Sequence, residues 1–175
     1  MVVLRHYVIP VVELGFPGSR PSKEFPEGKP IRYAMIDHKW GLPGHAKAFG
    51  NLEGTIGFIG GGAETIAPGL EETRMECLLR ELSEEIPGET KIRDALLTKE
   101  PLLVLEDDKH TFTFVFIEDI KTEKEAREYY HFTSVAGEGY IGWISLAQLQ
   151  RTGMAGWMIQ SPELFEAFYK VLKQE

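Results

Sequence analysis

Runs of apolar residues predict a set of β-strands along the chain. Residues 2–12 and 32–38 are rich in β-branched and aromatic side chains, which favour extended structure. Residues 111–117 alternate phenylalanine with other residues, as on a strand with one buried face. Shorter strands are predicted over residues 55–59, 102–105 and 140–144.

The clearest helix is predicted over residues 71–86, where apolar side chains recur at i, i+3, i+4, i+7 and i+11. The residues that form this stripe are Met75, Leu78, Leu79, Leu82 and Ile86. Pro87 followed by Gly88 ends the pattern, because proline and glycine both interrupt a helix.

Capping signals predict further helices downstream. Ser145 stands three residues before Gln148, which is the spacing of a capping box. Ser161 precedes Pro162, an N-cap followed by a proline at the first helical position. A weaker helix start lies at Thr122. Strands mixed with helices predict an α/β or α+β sandwich in which helices pack on a sheet.

Length and composition fit one domain over residues 1–175. The chain is 43% hydrophobic and 26% charged. A chain of this length buries roughly 70% of its unfolded surface, so it needs no disulfide or structural metal to fold. The formal net charge of −8 disfavours non-specific binding to nucleic acid, which depends on a basic surface.

Cysteine usage and the N-terminal residues indicate the compartment. Cys77 is the only cysteine, which excludes a disulfide framework and any zinc site built from several thiolates. No apolar run approaches the ~20 residues that span a membrane. Arg5, His6 and Pro10 interrupt the first residues, unlike a signal peptide. We therefore expect a cytoplasmic protein, since secretion would require a signal peptide removed before this sequence begins.

Three glutamates gather on one side of the helix predicted over residues 71–86. Relative to Glu81, Glu84 lies at about −60° and Glu85 at about +40° on a helix that turns 100° per residue. The three carboxylates therefore border the apolar stripe, at the rim of the core. Their oxygens are the ligands that hard divalent cations prefer. A solvated glutamate-rich face is the alternative interpretation.

The residues before this helix add context. Gly60, Gly61 and Gly62 follow a predicted strand, and Glu72 stands eight residues before Arg80. A strand, a glycine-rich loop and an acidic helix can bring backbone groups and carboxylates to one phosphate-binding site. A glycine triplet alone is typical of a simple turn.

Together these residues resemble the Nudix box, the loop–helix motif of the Nudix hydrolases. The resemblance covers residues 60–64, then Glu72, then the Arg-Glu-Leu-Ser-Glu-Glu run of residues 80–85. It implies a Nudix-like α/β/α sandwich with a mixed central sheet. It also implies a hydrolase that cleaves phosphoanhydride bonds with a divalent cation.

The sequence departs from the Nudix pattern at both ends of the helix. The family places a glycine six residues before the glutamate that matches Glu72, and this chain has Ile66 there, as if about five residues were inserted within residues 65–70. The family also has glycine two residues after the last glutamate, where this chain has Pro87 and then Gly88. Both departures lie at the ends of the helix and leave the three carboxylates in place.

The resemblance implies a role for each residue of the motif. Glu81, Glu84 and Glu85 would bind Mg²⁺ or Mn²⁺, with a carbonyl of the glycine run, assigned to Gly61, as a further ligand. Glu81 and Glu84 are also candidate catalytic residues.

Arg80, the third candidate catalytic residue of the motif, would hold the loop through a charge-assisted bond to Glu72, because guanidinium matches a planar carboxylate. The alternative for Arg80 and Glu72 is an ordinary charge pair on the helix surface.

Glu138 is the candidate outside the motif. It precedes a predicted strand that contains Trp143, and many Nudix hydrolases carry an acidic loop residue before a tryptophan-containing strand. That acid serves as an extra metal ligand or as the general base. The alternative for Glu138 is an exposed loop glutamate without a role.

A basic insertion is the candidate substrate-binding segment. Family members pass almost directly from the second strand to the glycine loop, whereas residues 40–53 intervene here. We expect Lys39 and Lys47 to contact phosphates and either Trp40 or Phe49 to stack on the rest of the substrate. His45 is a further candidate for substrate binding. The alternative is a solvated loop with one buried aromatic residue.

The sequence thus predicts a Mg²⁺-dependent hydrolase acting on a nucleoside-diphosphate-linked or polyphosphorylated small molecule. A diphosphoinositol polyphosphate and a nucleotide derivative are the candidate substrates. No membrane partner is expected, and nucleic acid only as a capped RNA end; the oligomeric state is not indicated. The alternatives are a non-hydrolysing nucleotide-binding or regulatory module on the same fold, and an interaction domain stabilised by a divalent cation.

Overall fold

The computed structural model of the protein describes residues 4–15, 30–39, 56–131 and 139–173. The strands are β1 (Arg5–Leu14), β2 (Ile31–Lys39), β3 (Ile56–Gly57), β4 (Ile59–Gly62), β5 (Thr65–Ala67), β6 (Leu70–Glu71), β7 (Leu103–Glu106), β8 (His110–Phe116) and β9 (Gly139–Ser145). The helices are α1 (Arg74–Glu85), α2 (Lys91–Thr98), α3 (Glu123–Arg127), α4 (Leu146–Thr152) and α5 (Pro162–Leu172), with a 3₁₀-helix at Glu128–His131.

The central sheet is mixed, and its two longest strands diverge. β1 runs parallel to β8 on one side. On the other side its first half pairs antiparallel with β4 and its second half antiparallel with β2. β2 in turn pairs antiparallel with β3 and β9. Because β1 and β2 separate, the short strands β3 and β4 fill the space between them and bring the glycine triplet into the sheet.

Pro10 marks the point where β1 and β2 separate. Proline within a central strand would normally remove a ladder hydrogen bond. Arg5 and Val11 direct their backbone bonds to the β8 side, so by alternation the nitrogen of Pro10 points to the other side. On that side, Pro10 falls between the residues of β1 that pair with β4 and those that pair with β2. No hydrogen bond of the ladder therefore requires an N–H at this position.

Helices cover both faces of the sheet. On the face of α1 and α2, the buried core includes Val8, Met35, Leu78, Leu82, Ile86, Ile92 and Trp143. On the face of α4 and α5, it includes Ile36, Phe58, Phe112, Phe114, Leu149, Trp157 and Phe168. This arrangement confirms the predicted α/β/α sandwich with a mixed central sheet. None of the described helices combines the length and apolar character needed to cross a membrane.

Capping chemistry sets the helix starts. Thr73 and Glu76 form a capping box, so α1 begins at Arg74, three residues later than the apolar pattern predicts. The predicted capping box of Ser145 and the predicted N-cap of Ser161 are both present.

The prediction of one buried face for β8 is wrong. Thr111 and Thr113, which alternate with the phenylalanines, are 6% and 3% exposed. Helices pack on both faces of the sheet at this strand, so its polar positions are buried as well. The prediction of a loop for the glycine triplet is also wrong, since Gly60, Gly61 and Gly62 belong to β4.

Candidate active site

The helix α1 lies against the glycine strand β4 through polar contacts. The Gly60 N–H donates to Glu85 Oε2 at 2.9 Å. Two residues along the strand, the Gly62 carbonyl accepts from Arg80 Nη2 at 3.1 Å. The side of α1 that carries the predicted carboxylates is therefore fixed to backbone groups of β4.

Two of the glycines are required by close approach. A Cβ on Gly61 would overlap the carboxylate of Glu81, so this carboxylate occupies the space that a side chain would fill. A Cβ on Gly60 would overlap the backbone carbonyl of His6 on β1, and Gly60 also has a φ of +147°. The absence of a side chain at Gly60 and Gly61 is what allows α1 to place its carboxylates beside the sheet.

Arg80 binds Glu72 through two parallel bonds. Its Nε and Nη2 lie 2.9 Å from Glu72 Oε2 and Oε1 respectively. Such a pairing is stronger and more directional than a single ion contact. The Arg80 hydrogen bond, with a backbone hydrogen bond from Glu64, holds the pKa of Glu72 below its ordinary value. In return, the bond to Glu72 raises the pKa of Arg80.

Residues 65–71, where the sequence predicts an insertion, form a hairpin whose base is closed. β5 and β6 pair with each other outside the central sheet, and Gly69 takes a φ of +77° in the turn between them. At the base, the Glu72 N–H donates to the Glu64 carbonyl, and the Glu64 N–H donates to Glu72 Oε1, each at 2.8 Å. Arg80 then binds the same Glu72 side chain. This hairpin is therefore exposed, and the residues on either side of it remain adjacent.

One nitrogen of Arg80 faces several carboxylates. Its Nη1 lies 3.2 Å from Glu81, 3.3 Å from Glu84 and 3.5 Å from Glu64. Among the described residues, no group of three His, Cys, Asp or Glu side chains is arranged to hold a metal ion. The available oxygen atoms nevertheless suit Mg²⁺. The carboxylates along one rim of α1 are hard ligands, and they lie beside a backbone carbonyl oxygen of β4 that can accept a further contact.

Gly61 offers such a carbonyl. Its oxygen accepts from the Cys77 thiol at 3.5 Å, and a carbonyl oxygen has a second lone pair. Burial raises the pKa of Cys77 to about 11, so its sulfur stays a protonated thiol at neutral pH. Cys77 is therefore a packing residue under the glycine strand and does not supply a nucleophile.

Two buried polar residues of the central sheet, His6 and Asp37, are not marked as site candidates by any pattern in the sequence. His6, the ladder partner of Gly61, is buried and its Nδ1 lies 2.8 Å from Thr111 Oγ1. Burial and then the nearby Arg74 lower its pKa. Asp37 is 1% exposed on β2, with Gly57 and Ile141 as ladder partners. The burial of a carboxylate on a strand can be recognised from the assembled sheet but not from the sequence.

Several predicted residues lie outside the described part of the chain. These are Trp40, His45, Lys47, Phe49 and Glu138, and their roles stay predictions. Lys39 is the last residue of β2, where its backbone pairs with Gly139, the residue after Glu138. The last residue of β2 and the first residue of β9 therefore lie side by side at one end of the sheet, next to β3.

No protein-family model matches the sequence, and neither does any curated protein. Among solved structures, the chain is similar to a NUDIX-family hydrolase from Clostridium perfringens, with a TM-score of 0.47 and 14% identity over 99% of this chain and 98% of that chain. It is also similar to a structure from work on MutT of Aliivibrio salmonicida and Vibrio cholerae, with a TM-score of 0.42 and 18% identity over 96% of this chain and 99% of that chain. Likenesses at these scores carry no weight for activity or substrate.

Proposed function

We propose that the chain is a Nudix-type hydrolase that uses Mg²⁺ to cleave a phosphoanhydride bond in a small phosphorylated molecule. The observation that carries the proposal is the position of Arg80, which binds Glu72 with two bonds and the Gly62 carbonyl with a third. This contact joins the two sides of the motif across the inserted hairpin. Glu81 and Glu85 then face β4 as the motif requires.

The proposed ligands differ in how firmly they are held. Glu85 is oriented by the Gly60 N–H, and Glu81 lies in the space left by Gly61. Glu84 is 56% exposed and shares Arg80 with Glu81. When bound by these residues, Mg²⁺ would neutralise phosphate oxygens and lower the pKa of a water molecule.

The proton of the attacking water needs an acceptor. Glu84 is the most exposed of the three proposed metal ligands, and Glu138 is the other candidate. A carboxylate in such a position contributes about 10²- to 10⁴-fold to the rate as a general base. Arg80 is occupied by the Glu72 pairing, so its proposed part in catalysis is to keep the glycine strand and the helix together.

The proposed substrate is a nucleotide derivative or a diphosphoinositol polyphosphate. What supports a polyanion is the basic insertion of residues 40–53, which follows Lys39 at the end of β2, where Lys39 pairs with Gly139. Lys39, His45 and Lys47 would neutralise phosphates, and Trp40 would stack on a base or ring. Alanine variants of Lys39 and Lys47 test this part separately, because an unchanged KM in both removes the basic insertion from substrate binding.

The central experiment measures phosphate release from a panel of diphosphate substrates, with and without Mg²⁺. The wild type is compared with Glu84→Gln and Glu85→Gln, which remove one charge each at nearly constant volume. Glu166→Gln on the exposed side of α5 is the matched control. We expect hydrolysis of at least one substrate, a loss of about 10²-fold or more in both box variants, and no change in the control.

The opposite outcomes separate the alternatives. No turnover with Mg²⁺ or Mn²⁺ on any substrate, with ligand binding retained, contradicts the hydrolase and supports a binding module. No rise in Tm with any ligand supports an interaction domain, because a ligand that binds the folded state raises Tm by mass action.

A further inference from the structure

The turn that follows α1 is held by one carboxylate. Glu89 Oε1 accepts from the Ile92 N–H at 2.8 Å, at the start of α2. The Glu89 N–H donates to the Ile86 carbonyl at 3.2 Å, at the end of α1. The hydroxyl of Tyr129, in the 3₁₀-helix, donates to the same Glu89 side chain. Glu89 therefore joins α1, α2 and the 3₁₀-helix at one corner.

Tyr129 is fixed on the core side of this corner. Its ring is buried and lies edge-on to Trp143 of β9, with 6.0 Å between ring centroids. The Trp143 indole N–H donates to the Ala126 carbonyl at 3.0 Å. Burial, followed by the neighbouring Glu89, raises the pKa of Tyr129, so its hydroxyl remains a donor at neutral and mildly alkaline pH.

The corner adjoins the carboxylates of the proposed site. Glu84 and Glu85 are the last two residues of α1, and Ile86 follows them into the core. Glu85 is held from the strand side by the Gly60 N–H. The chain leaves the helix axis at Pro87 and Gly88, where Gly88 has a φ of +82°. The path of the chain after α1 therefore depends on the next residue that is held by hydrogen bonds, Glu89.

We propose that Tyr129 and Glu89 are positioning residues that fix the last turn of α1, so that Glu84 and Glu85 can bind a divalent cation. The proposal rests on the proposed function of the α1 carboxylates. It assigns a role to the corner at which the sequence departs from the Nudix pattern, where Pro87 and Gly88 replace the expected glycine. In this role both residues act through the path of the chain after α1, without binding the ion themselves.

The test measures the binding of Mn²⁺ alone, detected as the loss of the EPR signal of free Mn²⁺. The kcat and KM of each variant are measured in parallel. Residues that orient metal ligands typically change metal affinity by 10- to 100-fold, and we expect about 10-fold weaker Mn²⁺ binding in Tyr129→Phe and in Glu89→Ala. Glu89→Gln keeps an oxygen acceptor and should stay within about twofold of wild type. The kcat should fall with the Mn²⁺ affinity while the substrate KM is unchanged.

A double variant tests whether the two residues act through one bond. Tyr129→Phe combined with Glu89→Ala should bind Mn²⁺ no more weakly than the weaker single variant, because both changes remove the same contact. Additive losses overturn the idea of a shared restraint.

The control separates positioning from stability. Val171→Ala lies in the core of the opposite layer and lowers stability without touching α1. It should leave Mn²⁺ binding unchanged, and an equal loss in this variant overturns the proposal. Wild-type activity with unaltered Mn²⁺ binding in Tyr129→Phe overturns the positioning role alone. A wild type that neither binds Mn²⁺ nor hydrolyses any substrate overturns the proposed function as well.

Discussion

The helices α1 and α5 cover opposite faces of one sheet, and they are held to it by different interactions. Phe168 of α5 is fully buried, with ring centroids 4.8 Å from Trp157 and 5.1 Å from Phe114. α1 also has an apolar stripe, but beside it Arg80 and Glu85 bind backbone groups of the glycine triplet in β4.

The difference indicates which layer serves stability and which serves chemistry. Aromatic contacts contribute through buried area and close packing, and they orient no charge. Carboxylates at the edge of a core contribute little net stability, since removing them from water offsets their attraction to a partner. The α1 layer keeps such groups in fixed positions, so we expect its variants to change activity more than stability. The α5 layer should show the reverse.

Phe168→Ala should give the largest loss of stability. Removing a fully buried phenylalanine leaves a cavity in the α5 layer, and such changes cost about 3–5 kcal/mol. Urea unfolding measures the loss, and Mn²⁺ binding at a temperature where the variant is folded should match wild type. A stability loss below about 1 kcal/mol, or a large change in Mn²⁺ binding, contradicts the division between the layers.

Gly60→Ala should destabilise the α1 layer through the backbone. Alanine at a φ of +147° is strained, and its Cβ overlaps the His6 carbonyl, so we expect a loss of about 1–3 kcal/mol or more. Gly69→Ala is the matched control, because Gly69 also has a positive φ but no neighbouring atom within 4 Å of the added Cβ. Urea unfolding should show the smaller loss in Gly69→Ala, and equal losses would mean that the overlap with β1 has no effect.

Much of the fold follows from local signals in the sequence. Leu78 and Leu82 of α1 recur at helical spacing and are buried as predicted. The N-caps Ser145 and Ser161 announce α4 and α5, because a hydroxyl three residues before a free N–H is recognisable without any tertiary information. The same helical geometry predicts that the three carboxylates share one rim of α1.

Other features depend on contacts distant in sequence. Glycine has low β-propensity, so a glycine triplet predicts a turn. Its extended form depends on pairing with β1 and on the contacts to α1, both of which are distant in sequence. The sequence does not predict α2. The side chain of its N-cap residue, Thr90, makes no capping hydrogen bond, and Glu89 accepts from the Ile92 N–H instead. The closure of the β5–β6 hairpin by Glu72 and Arg80 likewise needs residues on both sides of the hairpin in place.

Gly61→Ala should separate activity from stability. The added Cβ meets only the flexible carboxylate of Glu81, which can move away, so the stability loss should be about 1 kcal/mol or less. The displaced carboxylate would no longer lie beside β4, and we expect Mn²⁺ binding and kcat to fall about tenfold or more. Isothermal titration with Mn²⁺ and urea unfolding check the two effects. Unchanged Mn²⁺ affinity would remove Glu81 from the proposed site.

The smallest effect is expected from Glu72, and it depends on pH. Arg80 and the Glu64 N–H lower the pKa of Glu72 in the folded protein. The stability that this carboxylate contributes is therefore fully present above the ordinary glutamate pKa, and it is lost as the pH falls through the lowered value. Glu72→Gln cannot titrate, so its stability should fall less steeply than that of wild type at pH values below the ordinary glutamate pKa.

The size of this difference tests how the α1 layer is held. For a partly exposed pair we expect about 1 kcal/mol or less at neutral pH. Urea unfolding at a series of pH values measures it, with Glu166→Gln as the control that removes an exposed carboxylate from the α5 layer. If both variants follow the same pH profile, the Arg80 contact contributes nothing to stability. α1 would then be held by its apolar stripe alone, and the polar contacts of the site would serve only to orient its carboxylates.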